Sequence, residues 1–218
     1  MSGARLSLLS QGGKGSAVTL DPFYPIVDSA DWARRLVVVG ARLIQLRMKD
    51  KDDATVAAEA RAALKICRDA GAILVVNDYW RVAIDVGAPW VHLGQGDLDQ
   101  GADVGAIRRA GLKLGISTHD DSELARALAL EPDYIALGPI YPTILKAMAF
   151  APQGLARIGE WKKRVGALPL VAIGGLNVER AKACLAAGAD VVSVVTDITL
   201  NPDPEGRARQ WIAATRAP

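Results

Sequence analysis

Polar residues of the types that take part in catalysis recur along this chain, each time directly after a short apolar run. In chain order they are Asp28; Gln45, Arg47 and Lys49; Asn77 and Asp78; His92, Gln95 and Asp97; Ser117 and His119; Thr143 and Lys146; Gly174 and Gly175; and Thr196 and Asp197. Any one of these residues could be an ordinary loop residue or a helix cap. The whole set combines cations and carboxylates, and it indicates one shared site.

The cations and glycines of this set suit phosphate groups. Arg47 can grip two oxygens at once, whereas Lys49 and Lys146 act as point charges on flexible stems. The Gly174-Gly175 pair precedes a predicted helix, and Val195-Thr196 lies in the next loop. Backbone N–H groups and a helix N-terminus favour an anion at such positions. We therefore expect these residues to surround a phosphate.

Asp78 and Asp97 indicate a metal ion beside that phosphate site. Like unit charges ~4 Å apart cost on the order of 4 kcal/mol at an effective dielectric constant of 20, so two carboxylates would repel a polyphosphate. A bound Mg²⁺ turns this repulsion into attraction, because it binds one or two carboxylates together with substrate oxygens and waters. His92 and His119 do not have the spacing of a zinc pair, and cysteine is absent from these segments. The pair of aspartates therefore predicts Mg²⁺.

The elements that must position these residues follow one repeated pattern. Apolar runs rich in Val, Ile and Leu predict strands at Phe23–Val27, Arg42–Leu46, Ile73–Val76, Trp90–Leu93, Lys113–Ile116, Tyr134–Leu137, Leu170–Ile173 and Val191–Val195. Stretches of helical period between them predict helices that begin near Asp31, Asp53, Trp80, Asp103, Ser122, Gly154 and Val178, and a last helix from Pro204 to Thr215.

Eight strand-then-helix units of roughly 25 residues indicate a parallel sheet, because parallel strands need long crossovers. We expect the sheet to close into a single (β/α)8 TIM barrel; a doubly wound open sheet is the alternative, although it usually has fewer strands. In a barrel, the polar residues after the strands share the C-terminal rim. We expect residues 1–20 to form a flexible N-terminal segment and residues 21–218 to form the barrel domain.

Composition narrows the class of protein. The chain has 218 residues, half of them apolar, which suits one globular domain. The 26 basic and 24 acidic residues are spread along the chain, so neither nucleic acid nor an anionic membrane is an expected partner. Cys67 and Cys184 are too few for a disulfide framework, and no signal peptide or membrane span is evident. We expect a cytoplasmic enzyme that acts on small molecules; the pattern does not specify an oligomeric state.

Six short motifs in fixed order resemble the thiamine phosphate synthase family, from about Phe23 to Trp211. They are Gln45-Leu46-Arg47-Met48-Lys49, Asn77-Asp78-Tyr79-Trp80, His92-Leu93-Gly94-Gln95-Gly96-Asp97-Leu98, Gly115-Ile116-Ser117-Thr118-His119, Gly138-Pro139-Ile140-Tyr141-Pro142-Thr143 with Lys146, and Ala172-Ile173-Gly174-Gly175. The resemblance implies a transferase that joins 4-amino-2-methyl-5-(diphosphooxymethyl)pyrimidine to a thiazole ethyl phosphate. Loss of pyrophosphate would leave a pyrimidinyl-methyl cation that the thiazole nitrogen captures, and no protein nucleophile would be needed.

The resemblance also implies a role for each site residue. The pyrimidine diphosphate would contact Gln45, Arg47, Lys49, Asn77, Ser117 and Lys146, of which Ser117 and Lys146 would act catalytically on the pyrophosphate side. Asp78 and Asp97 would bind Mg²⁺. The thiazole phosphate would contact Thr143, Gly174, Gly175, Val195 and Thr196.

Three positions depart from the family pattern. Leu145 stands where a second threonine is common, and it removes a hydroxyl that would bind a carboxylate on the thiazole. Gly96 replaces a common glutamate but leaves Asp97 in its place. Asp197 follows the phosphate loop, where we expect its carboxylate to point away or to cap the next helix.

Three other functions are alternatives to this one. A thiazole tautomerase-like isomerase uses the same barrel but generally lacks the two aspartates. A non-catalytic binder of thiamine intermediates is favoured only by Leu145 and Asp197. A phosphate-binding barrel isomerase of sugar or amino-acid metabolism accounts for Gly174-Gly175 but not for the paired carboxylates.

Overall fold

The computed structural model describes residues 19–143 and 151–216, and its centre is a closed barrel of parallel strands. The strands are β1 (Phe23–Val27), β2 (Leu43–Leu46), β3 (Ile73–Asn77), β4 (Trp90–Leu93), β5 (Lys113–Thr118), β6 (Tyr134–Leu137), β7 (Leu170–Ile173) and β8 (Val191–Val194). Each strand pairs with the next, and β8 closes the ring by pairing with β1, where Phe23 lies opposite Val192. The prediction of a (β/α)8 barrel is confirmed, and the open-sheet alternative is wrong.

Helices follow the strands around the outside of the barrel. They are α1 (Ala30–Val38), α2 (Asp53–Asp69), α3 (Trp80–Asp85), α4 (Gln95–Asp99), α5 (Val104–Arg109), α6 (Asp121–Ala129), α7 (Gly154–Val165), α8 (Val178–Ala186), α9 (Thr196–Thr199) and α10 (Pro204–Thr215). Short polar side chains cap several of their first turns, as where Asp52 accepts a hydrogen bond from Thr55 N at 2.9 Å and Asn177 accepts one from Arg180 N at 2.9 Å. The eight predicted helix starts agree with the structure to within one residue, and six of these helices have such a cap.

The apolar core has two layers. One layer fills the space between the barrel and the helices, where Trp211 of α10 packs against Phe23 with ring centroids 5.9 Å apart. The other fills the barrel itself and includes Leu20, Tyr24, Trp90 and Tyr134. Of the segment predicted to be flexible, only residues 19 and 20 are described, and Leu20 is buried in this inner layer.

Both cysteines are buried in the outer layer, as the sequence led us to expect. Burial raises the pKa of each thiol, Cys67 and Cys184, to about 11, which keeps them in the unreactive thiol form near neutral pH. None of the helices in the described ranges is both long and apolar enough to cross a bilayer.

Candidate active site

The C-terminal ends of the strands surround a cavity of about 510 Å³, a size typical of small-molecule sites. The predicted site residues that line it are Arg47, Lys49, Asn77, Asp78, Asp97, Ser117, Thr143, Gly174, Gly175, Val195 and Thr196. Residues 144–150 lie outside the described part of the chain, and so do the predictions for Leu145 and Lys146. The structure thus brings the described residues that were given a role in binding together around one space, with a single exception, whereas Asp28 and Asp197 of the wider polar set do not line it.

Gln45 is that exception, because it lies deeper than the predicted rim. It is buried within β2 and lines a smaller cavity of about 100 Å³ inside the barrel. Its Nε2 donates a hydrogen bond to the hydroxyl of Tyr24 at 2.8 Å. The prediction that it lies at the rim is corrected: the side chain belongs to the layer below the main cavity.

Two cations reach the main cavity from the end of β2. Arg47 has no ion pair with any residue in the described ranges, so its charge is available to an anion in the cavity. Lys49 forms an ion pair with Asp78 across the loops that follow β2 and β3. Arg47 therefore offers this wall a guanidinium that no carboxylate of the described residues pairs with, and such a group suits the oxygens of a phosphate.

Asp78 and Asp97 lie on the same wall, and both line the main cavity as well as an adjoining cleft. Asp78 has a left-handed backbone with φ of 63°, a conformation that turns the chain sharply after β3. Asp97 accepts a hydrogen bond from Gly94 N at 2.7 Å at the start of α4. Burial raises the pKa of Asp97; the Gly94 N–H opposes this, and the nearby Asp78 carboxyl adds to it. Two carboxylates this close favour a shared proton or a shared cation.

The donor set therefore fits a hard divalent cation. In the described ranges, no group of three or more Asp, Glu, His or Cys side chains could hold a metal ion by itself. A pair of carboxylates that needs further oxygen ligands from a substrate is the arrangement that Mg²⁺ uses at phosphate sites.

Asn77 and Ser117 face the cavity from the ends of β3 and β5. Asn77 is buried, and its Nδ2 has no hydrogen-bond partner within the described ranges. An unpaired buried amide costs roughly 1–3 kcal/mol, so the position fits a ligand that supplies an acceptor. Ser117 Oγ lies 2.8 Å from His92 Nε2.

His92 is a site residue whose role the sequence did not reveal. Its Nδ1 lies 2.7 Å from the hydroxyl of Tyr134, and the two rings stack with centroids 5.6 Å apart. Burial lowers the pKa of His92 to about 4; the Asp78 carboxylate opposes this shift and the Arg47 guanidinium adds to it. The ring is therefore neutral near pH 7, with one nitrogen that donates and one that accepts.

On the opposite side, the loops after β7 and β8 border the cavity. Gly174 has φ of +101°, and a Cβ atom there would lie 2.6 Å from Pro139 Cα; Gly175 has φ of +66°, and its Cβ would lie 2.3 Å from Pro142 O. No other residue type fits either position without moving the loop after β6. These glycines therefore hold the loops of β6 and β7 together and leave bare backbone at the cavity wall.

Asp197 points away from the cavity, as expected, but it is not simply a helix cap. Its carboxylate accepts hydrogen bonds from Arg207 Nε at 2.8 Å and from Trp211 Nε1 at 2.7 Å. Both partners belong to α10, so this carboxylate connects the short helix α9 to the last helix of the barrel.

Comparisons with known proteins agree with this geometry. A relative from Rhizobium etli named thiamine-phosphate synthase is 61% identical over 196 residues, which cover 90% of this chain and 96% of that protein. One of the same name from Cronobacter sakazakii is 51% identical over 189 residues, covering 87% and 90%.

Solved structures show the same fold. Thiamine phosphate pyrophosphorylase from Pyrococcus furiosus superposes with a TM-score of 0.78 over 89% of this chain and 95% of that one, at 24% identity. A 3-hexulose-6-phosphate synthase superposes with a TM-score of 0.63 at 18% identity, covering 88% and 99%. The family profile described as thiamine monophosphate synthase matches residues 23–198. Because that match spans most of the barrel and the high-identity relatives agree with it, this chain belongs to the thiamine monophosphate synthase family.

Proposed function

We propose that this protein is a thiamine-phosphate synthase, which joins a pyrimidinylmethyl diphosphate to a thiazole ethyl phosphate and releases pyrophosphate. The observation that carries the proposal is the division of one cavity into two walls. Arg47, Lys49 and the two aspartates line one wall, and the loops after β7 and β8 line the other. Two phosphate-bearing substrates that must meet in one space call for such an arrangement.

The pyrimidine diphosphate binds on the first wall. Arg47 and Lys49 contact its phosphate oxygens, and the unpaired Nδ2 of buried Asn77 donates a hydrogen bond to an acceptor on the ligand. Ser117 contacts the pyrophosphate from β5, and we assign Lys146 to the same group from its place in the sequence motif. Gln45 does not reach the main cavity, and it contributes to the site through its hydrogen bond to Tyr24 in the layer of side chains inside the barrel.

Asp78 and Asp97 are the residues that would hold Mg²⁺. When bound, the ion supplies charge neutralisation on the pyrophosphate oxygens. Lys49, which pairs with Asp78 here, is then free to turn from the carboxylate to the phosphate. The raised pKa of Asp97 supports this assignment, because a cation between the two carboxylates would favour the ionised form of both.

The chain supplies charge and position rather than a nucleophile. The carbon–oxygen bond between the methylene and the diphosphate breaks, its electron pair leaves with the oxygen, and the thiazole nitrogen then bonds to the methylene carbon. The side chains of Arg47, Ser117 and Lys146 stabilise negative charge on the departing oxygen. Thr143, Gly175 and the Val195-Thr196 backbone hold the thiazole phosphate so that its nitrogen faces that carbon.

The test is formation of thiamine phosphate and pyrophosphate from both substrates and Mg²⁺, with omission of each component as a control. A tautomerase would isomerise the thiazole alone and form no condensation product, and a non-catalytic binder would bind the substrates without turnover. Either result would contradict the proposal. We also propose a cytoplasmic location, as expected for a biosynthetic enzyme of this family; cell fractionation tests it.

A further inference from the structure

Four hydrogen bonds form one continuous chain from the inside of the barrel to the cavity. The Gln45 amide donates to the hydroxyl of Tyr24 at 2.8 Å, and that hydroxyl lies 3.0 Å from the hydroxyl of Tyr134. Tyr134 lies 2.7 Å from His92 Nδ1, and His92 Nε2 lies 2.8 Å from Ser117 Oγ. We call these residues the barrel relay. Its first four members are buried, and only Ser117 is partly exposed, at the cavity end.

The fold makes specific room for this relay. Tyr134 of β6 lies beside Gly115 of β5, and a Cβ atom at Gly115 would lie 2.0 Å from Tyr134 Cζ and 2.4 Å from its hydroxyl oxygen. The phenol can enter the barrel interior only because residue 115 has no side chain. Tyr24 and Tyr134 also meet edge to face, with ring planes at 89°. Polar groups in such a layer are costly unless each one is paired, so their directions are constrained.

The direction of every bond follows from the end of the Gln45 amide that faces Tyr24, which is the donor Nε2. Tyr24 accepts from Gln45, so its own hydrogen must go to Tyr134, its other partner within the described ranges. Tyr134 then donates to His92 Nδ1, which leaves the ring hydrogen on Nε2 to be donated to Ser117 Oγ. In the opposite direction the Tyr24 hydrogen would need Gln45 Oε1 as its acceptor, and the Gln45 amide presents Nε2 instead. Ser117 Oγ therefore accepts a hydrogen bond from His92 Nε2 and directs its own hydrogen into the cavity.

We propose that the barrel relay orients the Ser117 hydroxyl as a hydrogen-bond donor to the leaving diphosphate, and that Tyr24, Tyr134 and His92 are positioning residues for this reaction. The inference rests on the proposed function, because it takes the anion beside Ser117 to be the diphosphate of the pyrimidine substrate. An oxygen that gains negative charge as its bond to carbon breaks accepts a hydrogen bond more strongly in the transition state than in the ground state. The relay would therefore act on kcat.

The direction of the relay can be measured without any substrate. The chain contains only two histidines, His92 and His119, so ¹⁵N-histidine labelling of the full protein gives two sets of ring signals. The His119→Gln variant assigns them. We expect His92 of the wild-type protein to be neutral with its hydrogen on Nε2, and to lose its preference for that tautomer in Tyr24→Phe, where Tyr134 no longer receives a hydrogen bond from Tyr24. A hydrogen on Nδ1 would mean that Ser117 donates to the ring, and it would overturn the proposal whether or not the protein condenses the two substrates.

Kinetics test whether that direction matters for the reaction. Removing the phenol oxygen in Tyr134→Phe releases His92 to take either tautomer, so we expect kcat to fall about tenfold with KM changed less than threefold. In a Ser117→Ala background the same substitution should change kcat by less than twofold, because the hydroxyl it orients is gone. Thr215→Val removes another buried hydroxyl, which bonds Trp211 O at 2.9 Å far from the cavity, and serves as the control for lost stability alone. Additive losses in the double variant, or an equal loss in Thr215→Val, would contradict the relay.

Discussion

Asp78 has an unusual backbone conformation, and its carboxylate lies between a positively charged neighbour and an acidic one. Its φ of 63° is unusual for a residue with a side chain, and it brings the carboxylate to Lys49 on one side and to Asp97 on the other. Backbone strain of this kind persists where the surrounding structure enforces it, and it is common at active sites. The conformation places the carboxylate between these two neighbours, which is the arrangement that the proposed metal site requires.

We predict that both carboxylates are required for turnover. Asp78→Asn and Asp97→Asn keep the shape of the side chain and, at Asp97, an oxygen that can accept from Gly94 N. A bound cation lowers the activation barrier by several kcal/mol. Each variant should therefore lose roughly a hundredfold or more in kcat, with its melting temperature almost unchanged. Steady-state assays over a Mg²⁺ titration measure the loss. Asp99→Asn, on the same short helix, is the matched control, since its carboxylate pairs with Arg126 at 2.7 Å. Near wild-type turnover in either active-site variant would show that the metal assignment is wrong.

A second prediction concerns Lys146, which lies outside the described residues. Its ammonium should stabilise the departing pyrophosphate, whose charge is larger in the transition state than in the bound ester. Lys146→Ala should therefore lower kcat more than it raises KM. Comparing kcat and KM for the pyrimidine diphosphate decides this, and a change in KM alone would show that the lysine only binds the ground state.

The position of most predicted polar residues at the cavity followed from the sequence, because they come directly after apolar runs and because strand ends meet at one rim. The barrel relay could not be predicted in the same way. Tyr24 and Tyr134 read as apolar strand residues, and Gln45 read as a rim residue, since nothing in a single strand shows which neighbours its side chains will meet. The available signal was Gly115 within a predicted strand, which indicates a close approach by another group.

Among the elements, α4 and α9 are the two that the pattern did not predict. They have five and four residues, too few to show a helical period, and both lie in loops at the cavity rim. Predicted β3 and β5 were also too short, because Asn77 and Thr118 are polar residues that nevertheless belong to the strands. These differences all occur at the site, where polar side chains replace the apolar pattern that identifies an element.

The connection between α9 and α10 leads to a third prediction. Arg207→Ala removes the guanidinium that binds Asp197 and leaves a partly buried carboxylate with Trp211 Nε1 as its remaining partner. We expect α9 to shift, so that KM for the thiazole phosphate rises several-fold while KM for the pyrimidine diphosphate stays within about twofold. The melting temperature should fall by about 2–4 °C for each kcal/mol lost. Arg209→Ala, an exposed arginine on the same helix, is the control. Equal changes in both KM values would contradict a local effect on α9.

At the scale of the whole molecule, the fold was predictable because one strand–helix unit recurs eight times, and errors at single boundaries do not change the number of units. Closure needs only that the last strand pairs with the first, which the register of Phe23 opposite Val192 provides. The distribution of polar groups inside the barrel has a different basis, because it depends on which side chains from distant strands share a layer. Because His92 belongs to that layer and its pKa is lowered there, the layer also makes the stability of the whole fold depend on pH.

A fourth prediction concerns stability in acid. The pKa of His92 is about 4 in the folded protein and 6.5 in an exposed histidine, so between these pH values the unfolded chain binds more protons than the folded one. The free energy of unfolding should therefore decrease as pH falls from 6.5 to 4, with His92 contributing up to about 3 kcal/mol of the loss. Urea unfolding of wild type and His92→Gln across this range measures it. The variant should lose stability less steeply; parallel curves would mean that His92 is already charged in the folded state.

The close approach of Gly115 and Tyr134 also limits how the two positions can change over evolutionary time. Any side chain at residue 115 would collide with the phenol ring, whose Cζ would lie 2.0 Å from the new Cβ. Shortening residue 134 first would leave a void inside the barrel and separate His92 from Tyr24. Each single step is therefore unfavourable in either order, and a lineage can leave this arrangement only by exchanging both residues together. Gly115 and Tyr134, a small residue and a large one on neighbouring strands, are therefore expected to covary among related sequences.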